Sequence, residues 1–503
     1  MSARGHRHGI PRPPIVLAAV VLLAAALRLR GDVSLPRIFG DNMVLQRDSP
    51  VPVWGRAAPD EEITVRFAGQ EQRVRADADG RWRLTLDRTA ASAAPQEMVV
   101  AGANLVRFQN ILVGEVWLCA GQSNMEYAVG VAKPWAPPAA ATDRELAEEL
   151  AGRPLPALRL FRVEKQREPP EVVSAGWSEA AGAARDEFSA VGYCFARRLL
   201  RELAGPVGMI QAAWGGSRIE EWTPADAYAR LATVLTGPAA SSLERDPAWI
   251  GRNFDAMVQP LVPYALRGVI WYQGESNLIA YNDGLHYADK LRALIDSWRT
   301  AWQGAVADAS ESLPFYSVQI APFRYTGRTD PLPHSAEDLP RLWEAQAAAL
   351  RIPRTGLVPT TDLVDDVGDI HPAHKRTVGE RLAALALNDT YGRKGLTWAG
   401  PQFAGLVIRG AEAVIHFKNT GAGLMSRDGK PLTDFEIAGA DGAFVPATAV
   451  IRGSTVIVSS PRVPVPVAVR FGWSETARPN LMNRAGLPAY PFRSNAPIWP
   501  GDS

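Results

Sequence analysis

The stretch from Gly114 to about Lys394 alternates short apolar runs with longer helical stretches, and this alternation constrains the fold more than any other feature of the sequence. The apolar runs read VWLCA, GMIQAAW, GVIWYQ, FYSVQIAPF and GLVPTTDL, and the helical stretches between them include SAVGYCFARRLLREL and HYADKLRALIDSWRTAW. Alternating strands and helices are typical of a parallel sheet covered on both faces. The sequence therefore predicts an α/β domain in this region.

Two β-rich regions flank the α/β stretch. From about Val33 to Ile111, short alternating runs are separated by Pro, Asp and Gly, a pattern typical of antiparallel strands in a small sandwich. After Gly395 the β pattern returns in LVIRG, AVIHF and STVIVSS. The predicted organisation is a signal peptide or N-terminal anchor at 1–31, a β-sandwich at 32–112, the α/β domain at 113–394 with an insertion at 132–156, and a C-terminal β-rich domain at 395–503.

The N-terminal segment has the layout of a secretory signal. Basic residues precede an apolar run from Ile15 to Leu27. This run is shorter than the roughly 20 residues that a membrane span needs, although Arg28 and Arg30 follow it and no clear cleavage site precedes Asp32. We favour a cleaved signal and export to the periplasm or the extracellular space over an uncleaved anchor.

The charge balance bears on the class of partner. The chain has 54 Lys and Arg against 53 Asp and Glu, a net charge of +1. This balance provides no excess of positive charge that would attract nucleic acid or an anionic membrane surface. We therefore predict no nucleic-acid partner and no obligate membrane partner, and we expect a neutral partner such as a glycan. Nothing in the sequence indicates an oligomeric state.

Only two cysteines occur, Cys119 in an apolar strand and Cys194 in a helical stretch. An exported chain could pair them, but a chain of 503 residues does not need a disulfide for stability. We predict two buried free thiols.

Polar motifs follow four of the predicted strands. These motifs are GQSNM, GGSRIEEW, QGESN and VDDVGDIHPAHK. Because ligands bind beyond the carboxyl ends of the strands in an open parallel sheet, the four motifs are expected to meet in one site. Ser123 of GQSNM stands on a turn of the kind that presents a nucleophile in many hydrolases.

A serine nucleophile needs a general base and a carboxylate that orients the base. His371 follows Asp369 by two residues, and Pro372 favours an extended backbone, so both side chains can lie on one short loop. Ser123, His371 and Asp369 would then supply the three roles.

Two other function classes are compatible with parts of the sequence. The spacing of His371 and His374, with carboxylates nearby, could hold a metal in a metal-dependent hydrolase. The flanking β regions would also suit a carbohydrate-binding scaffold protein. The metal hypothesis leaves GQSNM, WGGS and QGESN unexplained, and the scaffold hypothesis must explain why every chemical group is present.

Taken together, GEVWLCAGQSNM, WGGS, RGVIWYQGESN and DIHP resemble the sequence blocks of the sialate O-acetylesterase family, within the SGNH-type hydrolases. The likeness extends to FGDNMVLQRDSPVPVWG near the start and NLMNRAGLPAYPFR near the end. It implies an SGNH-like α/β fold and a serine esterase that removes O-acetyl groups from a carbohydrate, with no metal and no cofactor. It also implies Ser123 as the nucleophile, and Asp369 and His371 as its relay.

The resemblance further implies an oxyanion hole built from the Ser123 amide, a glycine amide of Gly215 and Gly216, and a side-chain amide at QGESN. Gln273 and Asn277 both offer that amide. We favour Gln273 because it comes directly off the strand, and we expect Asn277 to brace its own loop.

Four residues near the motifs have other expected roles. Glu275 is expected to brace the QGESN loop, and Trp214 could stack on a sugar or fill core space. Arg218 could bind a substrate carboxylate or pair with a neighbouring glutamate. Lys375 is expected to begin a helix and to face solvent.

The glycan itself is left open by the sequence. The resemblance implies sialic acid, and a neutral acetylated plant polysaccharide such as xylan or xyloglucan is the alternative.

Overall fold

The structure is a computed structural model, and it describes Met1 and residues 32–131, 154–168, 171–231, 247–303, 312–328 and 332–495. The predicted signal segment after Met1 and most of the predicted insertion at 132–156 lie outside the described residues. Within the described ranges, every helix is too short or too polar to cross a membrane.

The N-terminal unit consists of short strands and one long strand. They are β1 Val44–Gln46, β2 Val51–Arg56, β3 Glu62–Phe67, β4 Gln70–Arg75, β5 Arg81–Leu86, β6 Ser92–Ala101 and β7 Leu105–Gly121. β2 pairs with β5, and β6 pairs with both β3 and β7, all antiparallel. The predicted boundary at 112/113 falls inside β7, which is buried throughout residues 111–121. One continuous strand therefore joins this unit to the next.

The central sheet continues from the second half of β7. Its further strands are β8 Leu155–Arg162, β9 Trp177–Ala180, β10 Val207–Ala213, β11 Gly268–Tyr272, β12 Phe315–Val318 and β13 Thr355–Val358. The strand order is β13-β12-β11-β7-β10-β8-β9. All neighbours are parallel except the edge strand β9, which runs antiparallel to β8. The predicted α/β class with a parallel sheet is confirmed.

Helices cover both faces of this sheet. They are α1 Ser123–Glu126, α2 Gly182–Asp186, α3 Ala190–Leu203, α4 Ile219–Trp222, α5 Ala225–Leu231, α6 Glu275–Tyr281, α7 Tyr287–Gln303, α8 Asp338–Ala348 and α9 Lys375–Asp389. Single 3-10 or π turns lie at Pro247–Trp249, Phe254–Val258, Gln259–Leu261, Gly284–His286, Tyr325–Gly327 and Ala349–Arg351. On one face, Phe195 of α3 packs edge-on against Trp117, with ring centres 5.0 Å apart. On the other, Trp298 of α7 packs against Trp271 at 6.0 Å.

The centre of the sheet is also its topological switch point. β7 lies between β10 and β11, and the three strands end together, since Gly121 is in register with Ala213 on one side and Tyr272 on the other. The connections that follow these strands therefore leave the sheet side by side. This is the place where ligands bind in open α/β sheets.

The C-terminal unit is built from antiparallel strands around its own core. They are β14 Gln402–Arg409, β15 Glu412–Lys418, β16 Leu424–Ser426, β17 Phe435–Ala438, β18 Phe444–Pro446, β19 Thr448–Arg452, β20 Thr455–Ser459, β21 Ala468–Phe471, β22 Leu481–Asn483 and β23 Phe492–Arg493. The buried cluster here runs from Ala413 to Phe492 and is separate from the core that the other two units share. The predicted β-rich character of both ends is confirmed.

Cys119 and Cys194 are buried and not bonded to each other, which confirms the prediction of two free thiols. Burial raises the pKa of the Cys119 thiol, so this thiol is kept protonated.

Candidate active site

Ser123 lies at the end of β7, where the chain turns sharply out of the sheet. Gly121 makes the turn possible because its φ is +141° and a Cβ at this position would lie 2.2 Å from the Tyr272 carbonyl oxygen. Ser123 then begins α1 and is partly exposed. Its hydroxyl is presented at the switch point, as the sequence predicts.

His371 reaches Ser123 from the connection between β13 and α9. Its Nε2 lies 2.9 Å from Ser123 Oγ, a hydrogen-bond distance. Burial lowers the pKa of His371, the positive charge of Lys375 lowers it further, and the charge of Asp369 raises it. The net shift favours the neutral imidazole, the form that can accept a proton.

Asp369 contacts His371 through the backbone. Its Oδ1 accepts the His371 backbone N–H at 2.8 Å. Among the described residues, no hydrogen bond joins this exposed carboxylate to the imidazole ring of His371. The orientation of the ring therefore depends on how its loop is held.

The two histidines of the DIHPAH segment face different partners. His371 Nε2 faces Ser123, whereas His374 Nε2 lies 2.9 Å from Asp365 Oδ2. In the described ranges, no group of three His, Cys, Asp or Glu side chains converges as metal ligands do. Among these described residues, the side chains that the metal hypothesis requires as ligands do not lie close together.

Gly215 and Gly216 follow β10, and Gly215 lies next to Ser123. A Cβ built on Gly215 would lie 3.3 Å from Ser123 Cβ. The Gly215 N–H donates to Glu126 Oε2 at 2.6 Å, and Lys165 pairs with the other oxygen of Glu126 at 2.5 Å. Gly216 is exposed and has a φ of +76°. A carboxylate of α1 thus occupies one of the two amides predicted to bind an oxyanion.

Gln273 is fully buried and contacts Gln122, which precedes Ser123. Its Nε2 lies 2.6 Å from Asn277 Oδ1, 3.1 Å from Gln122 Oε1 and 3.3 Å from the Ser217 carbonyl. Its Oε1 accepts the Tyr287 hydroxyl at 2.7 Å. Both amide hydrogens are therefore engaged by protein oxygens, and donation to an acetyl oxygen would require this network to open.

Asn277 belongs to the same buried network. Its Oδ1 accepts the Ile219 N–H at 2.9 Å, and its Nδ2 donates to Glu220 and to Asp283, each at 2.8 Å. It therefore braces the turn that follows Gly215 and Gly216, whereas a brace of its own loop was expected. Like Gln273, it is engaged by protein groups.

Lys290 of α7 completes this network with a buried charge. Its ammonium lies 2.6 Å from Glu220 and 2.7 Å from Asp283. Burial lowers the pKa of Lys290, but the two carboxylates outweigh burial and raise it. Burial raises the pKa of Asp283 to about 6, whereas Lys290 holds the pKa of Glu220 below its usual range.

Lys375 is buried, which corrects the prediction that it faces solvent. It does begin α9, but only 1% of its surface is exposed, because its ammonium donates to Asn124 Oδ1 at 2.7 Å and to the Pro372 carbonyl at 2.5 Å. Asn124 in turn donates to Glu275 Oε1 at 2.5 Å. Glu275 is buried, and burial raises its pKa.

Trp214, which precedes Gly215, and Trp249 contact several cations. Arg167 lies over the rings of Trp214 and Trp249, at 5.4 and 6.0 Å. Arg252 lies 3.6 Å from the centre of the Trp249 ring. Arg218 lies 5.0 Å from that same ring.

Arg218 is engaged within the protein. Its Nε lies 3.6 Å from Glu221, and it also donates to the Tyr281 hydroxyl. It therefore makes the pairing with a neighbouring glutamate that the sequence left as one of two alternatives. Trp214 is half-buried: it packs against the edge of the core and also contacts Arg167.

Sequence analysis missed Asn124, Glu126 and Lys375 as members of the site. A positional signal existed for each: Asn124 and Glu126 stand in the same turn as Ser123, and Lys375 follows His371 by four residues. A lysine at the start of a helix looks like a solvated residue unless its burial is known.

Comparisons with known proteins identify the family of the chain. A family model described as carbohydrate esterase, sialic acid-specific acetylesterase matches residues 113–388. The sialate O-acetylesterase of Homo sapiens is 30% identical over 393 residues, 72% of each chain, and that of Mus musculus is 26% identical over 443 residues, 77% of this chain and 79% of the mouse protein. The crystal structure of a novel carbohydrate acetylesterase from Xanthomonas citri has a TM-score of 0.79 at 36% identity and covers 93% of this chain and 100% of its own.

These matches cover the sheet, the loops at its carboxyl edge and most of the flanking units. The family that the sequence motifs resemble is thereby confirmed, and so is the SGNH-like fold class. The chain belongs to the sialic acid-specific acetylesterase family of carbohydrate esterases, and it is a carboxylic ester hydrolase that removes O-acetyl groups from carbohydrates.

Proposed function

We propose that Ser123 is the nucleophile of this deacetylation and that His371 is its general base. The observation that carries the proposal is the 2.9 Å between His371 Nε2 and Ser123 Oγ. A nucleophile and a base within hydrogen-bond reach are the signature of covalent acyl transfer. The lowered pKa of His371, caused first by burial, keeps the imidazole ready to accept a proton at neutral pH.

The reaction has two steps. His371 Nε2 accepts the Ser123 proton while Oγ attacks the acetyl carbon, and the imidazolium then gives that proton to the departing sugar oxygen. His371 then takes a proton from water, which attacks the acetyl carbon; the bond from that carbon to Oγ breaks, His371 returns the proton to Oγ, and the product leaves as acetate. The charge of Asp369 favours the imidazolium formed in each step. No cofactor enters this sequence.

We assign the oxyanion hole to the backbone amides of Ser123, Gly215 and Gly216, not to a side-chain amide, because Gln273 and Asn277 donate to protein oxygens. The acetyl oxygen would displace Glu126 from the Gly215 amide. Removing one donor from such a hole typically lowers kcat about 100- to 1,000-fold. Gln273 then acts indirectly, by bracing the turn before Ser123.

Alanine variants and active-site labelling test these roles. Ser123→Ala and His371→Ala should each abolish hydrolysis of an activated acetyl ester and labelling by a serine-directed phosphonate, with an unchanged thermal unfolding curve. His374→Ala is the matched control, since His374 lies on the same loop and pairs only with exposed Asp365 among the described residues. An inactive His374→Ala beside an active His371→Ala would refute the assignment, and inhibition by chelators without labelling would support the metal hypothesis.

A polar cleft lined by Glu126 of α1 suits the sugar. It has a volume of about 440 Å³ and extends over the ends of β8 and β10. Its lining is Glu126, Ala128, Arg162, Val163, Glu164, Lys165, Glu187, Gln211 and Ala213. Charged and amide groups of this kind can pair with sugar hydroxyls and fix the orientation of a ring.

We propose an acidic sugar such as sialic acid as the substrate. Arg167 supports this choice, because within the described parts of the chain no carboxylate pairs with it and its guanidinium lies over Trp214 and Trp249. Arg is well suited to binding a carboxylate by two parallel hydrogen bonds. Sialate O-acetylesterases among the relatives point the same way.

Acetate release from O-acetylated sialic acids and from acetylated xylan and xyloglucan oligosaccharides decides between the substrates. Arg167→Gln should raise KM for the sialic acid substrates and leave hydrolysis of a small neutral acetyl ester unchanged. Faster release from the plant oligosaccharides, with no effect of Arg167→Gln, would favour the neutral polysaccharide.

We propose finally that the enzyme is exported. The basic flank and the apolar run Ile15–Leu27 support this location. N-terminal sequencing of the protein recovered from the periplasm or the medium tests cleavage; a chain that stays in the cytoplasm with Met1 intact would contradict it.

A further inference from the structure

Lys375 is a buried cation that the proposed reaction does not use. Its ammonium contacts the oxygens of Asn124 and Pro372 and lies 4.8 Å from the centre of the Tyr127 ring. Among the described residues, no carboxylate lies within ion-pair distance of it. Burying an ammonium on neutral oxygens alone costs stability that an apolar side chain would not cost. The position therefore calls for an explanation other than stability.

Asn124 links the nucleophile to the loop of the base. It follows Ser123 directly, and its Nδ2 donates to the Ile370 carbonyl at 3.0 Å. Lys375 binds both Asn124 and the Pro372 carbonyl. The peptide carbonyls on the two sides of His371 are thus fixed, one by Asn124 and the other by Lys375.

These contacts of Asn124 and Lys375 form a clamp on the two sides of His371. The clamp matters because, among the described residues, Asp369 makes no hydrogen bond to the imidazole ring. The ring position must come from the backbone of its loop, and that backbone is held on both flanks of His371 by the Asn124–Lys375 pair. Glu275 supports Asn124 from α6, through the bond at 2.5 Å. The distance between base and nucleophile therefore depends on residues that touch neither the substrate nor the reacting atoms.

We infer that Lys375 is a positioning residue for the base: together with Asn124 it fixes the loop of His371 against the turn of Ser123. The positive charge of its ammonium also lowers the pKa of His371 and so favours the neutral imidazole. This inference rests on the proposed roles of Ser123 and His371.

The groups that face His371 come from three elements. They are Asp369 on its own loop, Lys375 on α9 and Tyr127 after α1, whose ring centre lies 6.3 Å from that of the imidazole. Lys375 itself faces Glu275 and Asp369, whose charges raise its pKa, but burial prevails and lowers the pKa of Lys375 to about 7. The ammonium is therefore charged in the pH range where His371 titrates.

The test compares Lys375→Met with Lys375→Arg, which keeps the charge. The titration of His371 is followed by NMR on histidine labelled at Cε1, and kcat/KM for an activated acetyl ester is measured against pH. For Lys375→Met we expect the NMR midpoint and the acid limb of kcat/KM to move together to higher pH, because a like charge has been removed. We also expect kcat to fall about 10- to 100-fold, since small displacements of a catalytic group have effects of this size. Lys375→Arg should keep both midpoints near the wild-type values.

Arg376→Met is the matched control. Arg376 stands one residue along the same helix and pairs with Glu380 at 2.8 Å. This variant removes a positive charge from the same turn of α9, so it should leave both midpoints in place. A fall in kcat for Lys375→Met with both midpoints at their wild-type pH would overturn the inference and leave Lys375 a purely structural role.

Two further variants keep the inference testable. Lys375→Gln, neutral but able to donate hydrogen bonds, replaces Lys375→Met if the latter does not fold, and the same shift of the midpoints is expected. Asn124→Ala keeps the charge of Lys375, so kcat should fall with little change in KM and in the midpoints; an unchanged kcat would refute the clamp. The NMR midpoint is measured without enzymatic activity. It therefore tests the effect of the Lys375 charge on His371 even if an active Ser123→Ala variant refuted the proposed function.

Discussion

Lys290 and Lys375 are both buried lysines behind the active site, yet their surroundings shift their pKa values in opposite directions. Lys290 contacts two carboxylates, Glu220 and Asp283, and its pKa is raised. Lys375 contacts only neutral oxygens, and its pKa is lowered to about 7. Burial alone therefore does not decide what a buried cation does. The partners at contact distance make one lysine a permanent ion and leave the other able to titrate near neutral pH.

Removing the permanent ion should have the largest effect. Lys290→Met leaves two buried carboxylates without their cation, so the free energy of unfolding should fall by about 3–5 kcal/mol. Urea denaturation followed by tryptophan fluorescence measures it. Lys375→Met should lose clearly less, because no buried carboxylate is left at contact distance.

Neutralising the acids provides the control for this difference. Adding Glu220→Gln and Asp283→Asn to Lys290→Met should restore part of the lost stability, since the uncompensated charge is then gone. Equal losses for the two lysine variants would show that the distinction between them is wrong.

A smaller effect is expected from the amides around Lys290. Asn277→Ala removes donors to Glu220 and Asp283, and should cost about 1–3 kcal/mol of unfolding free energy with a modest change in kcat. Gln273→Ala should instead lower kcat more than stability, because it loosens Gln122 and hence the turn before Ser123. A catalytic collapse in Asn277→Ala with Gln273→Ala nearly normal would reverse these roles.

The smallest effect is a slope of stability with pH. In the unfolded chain Lys375 keeps its proton up to about pH 10.4, whereas the folded chain releases it near pH 7. Between these values the unfolded state binds more protons, so stability from this group is lowest below pH 7 and rises with pH, by at most about 1.4 kcal/mol per unit. The pKa of Lys290 is shifted in the opposite direction, so its contribution to stability falls as pH rises. This contribution is lost only above about pH 10.4.

Unfolding free energies at pH 6.5, 8 and 9.5 measure this slope. Lys375→Met should lose the rise that the wild-type chain shows. Arg376→Met should keep it. If Lys375→Met kept the wild-type rise of unfolding free energy with pH, a group other than Lys375 would cause that rise.

The sequence predicts the catalytic edge of the sheet well, because apolar strands ending in Gly and polar residues have few other interpretations. Ser123 and His371 are brought together as expected, although their roles stay a prediction. The burial of Lys375 could not be predicted, since it depends on how α9 packs beside Asn124, which is 251 residues away in the chain. For the same reason, the network that engages Gln273 was not foreseen: its partners come from four separate segments.

The predicted boundary at 112/113 lies inside a continuous strand of the structure, whereas the family match begins at residue 113. Composition changes there, from alternating to mostly apolar residues, but the hydrogen-bonded strand continues across it. A change of environment along one strand thus looks like a change of domain.

The continuity of β7 has a consequence for how this protein can evolve and be engineered. The same strand pairs with the N-terminal unit at one end and ends at Ser123 at the other. Recombination could therefore not exchange the N-terminal unit without rebuilding the turn that carries Ser123. The C-terminal unit has its own core, so a graft, a fusion partner or a new chain terminus is better introduced on that side.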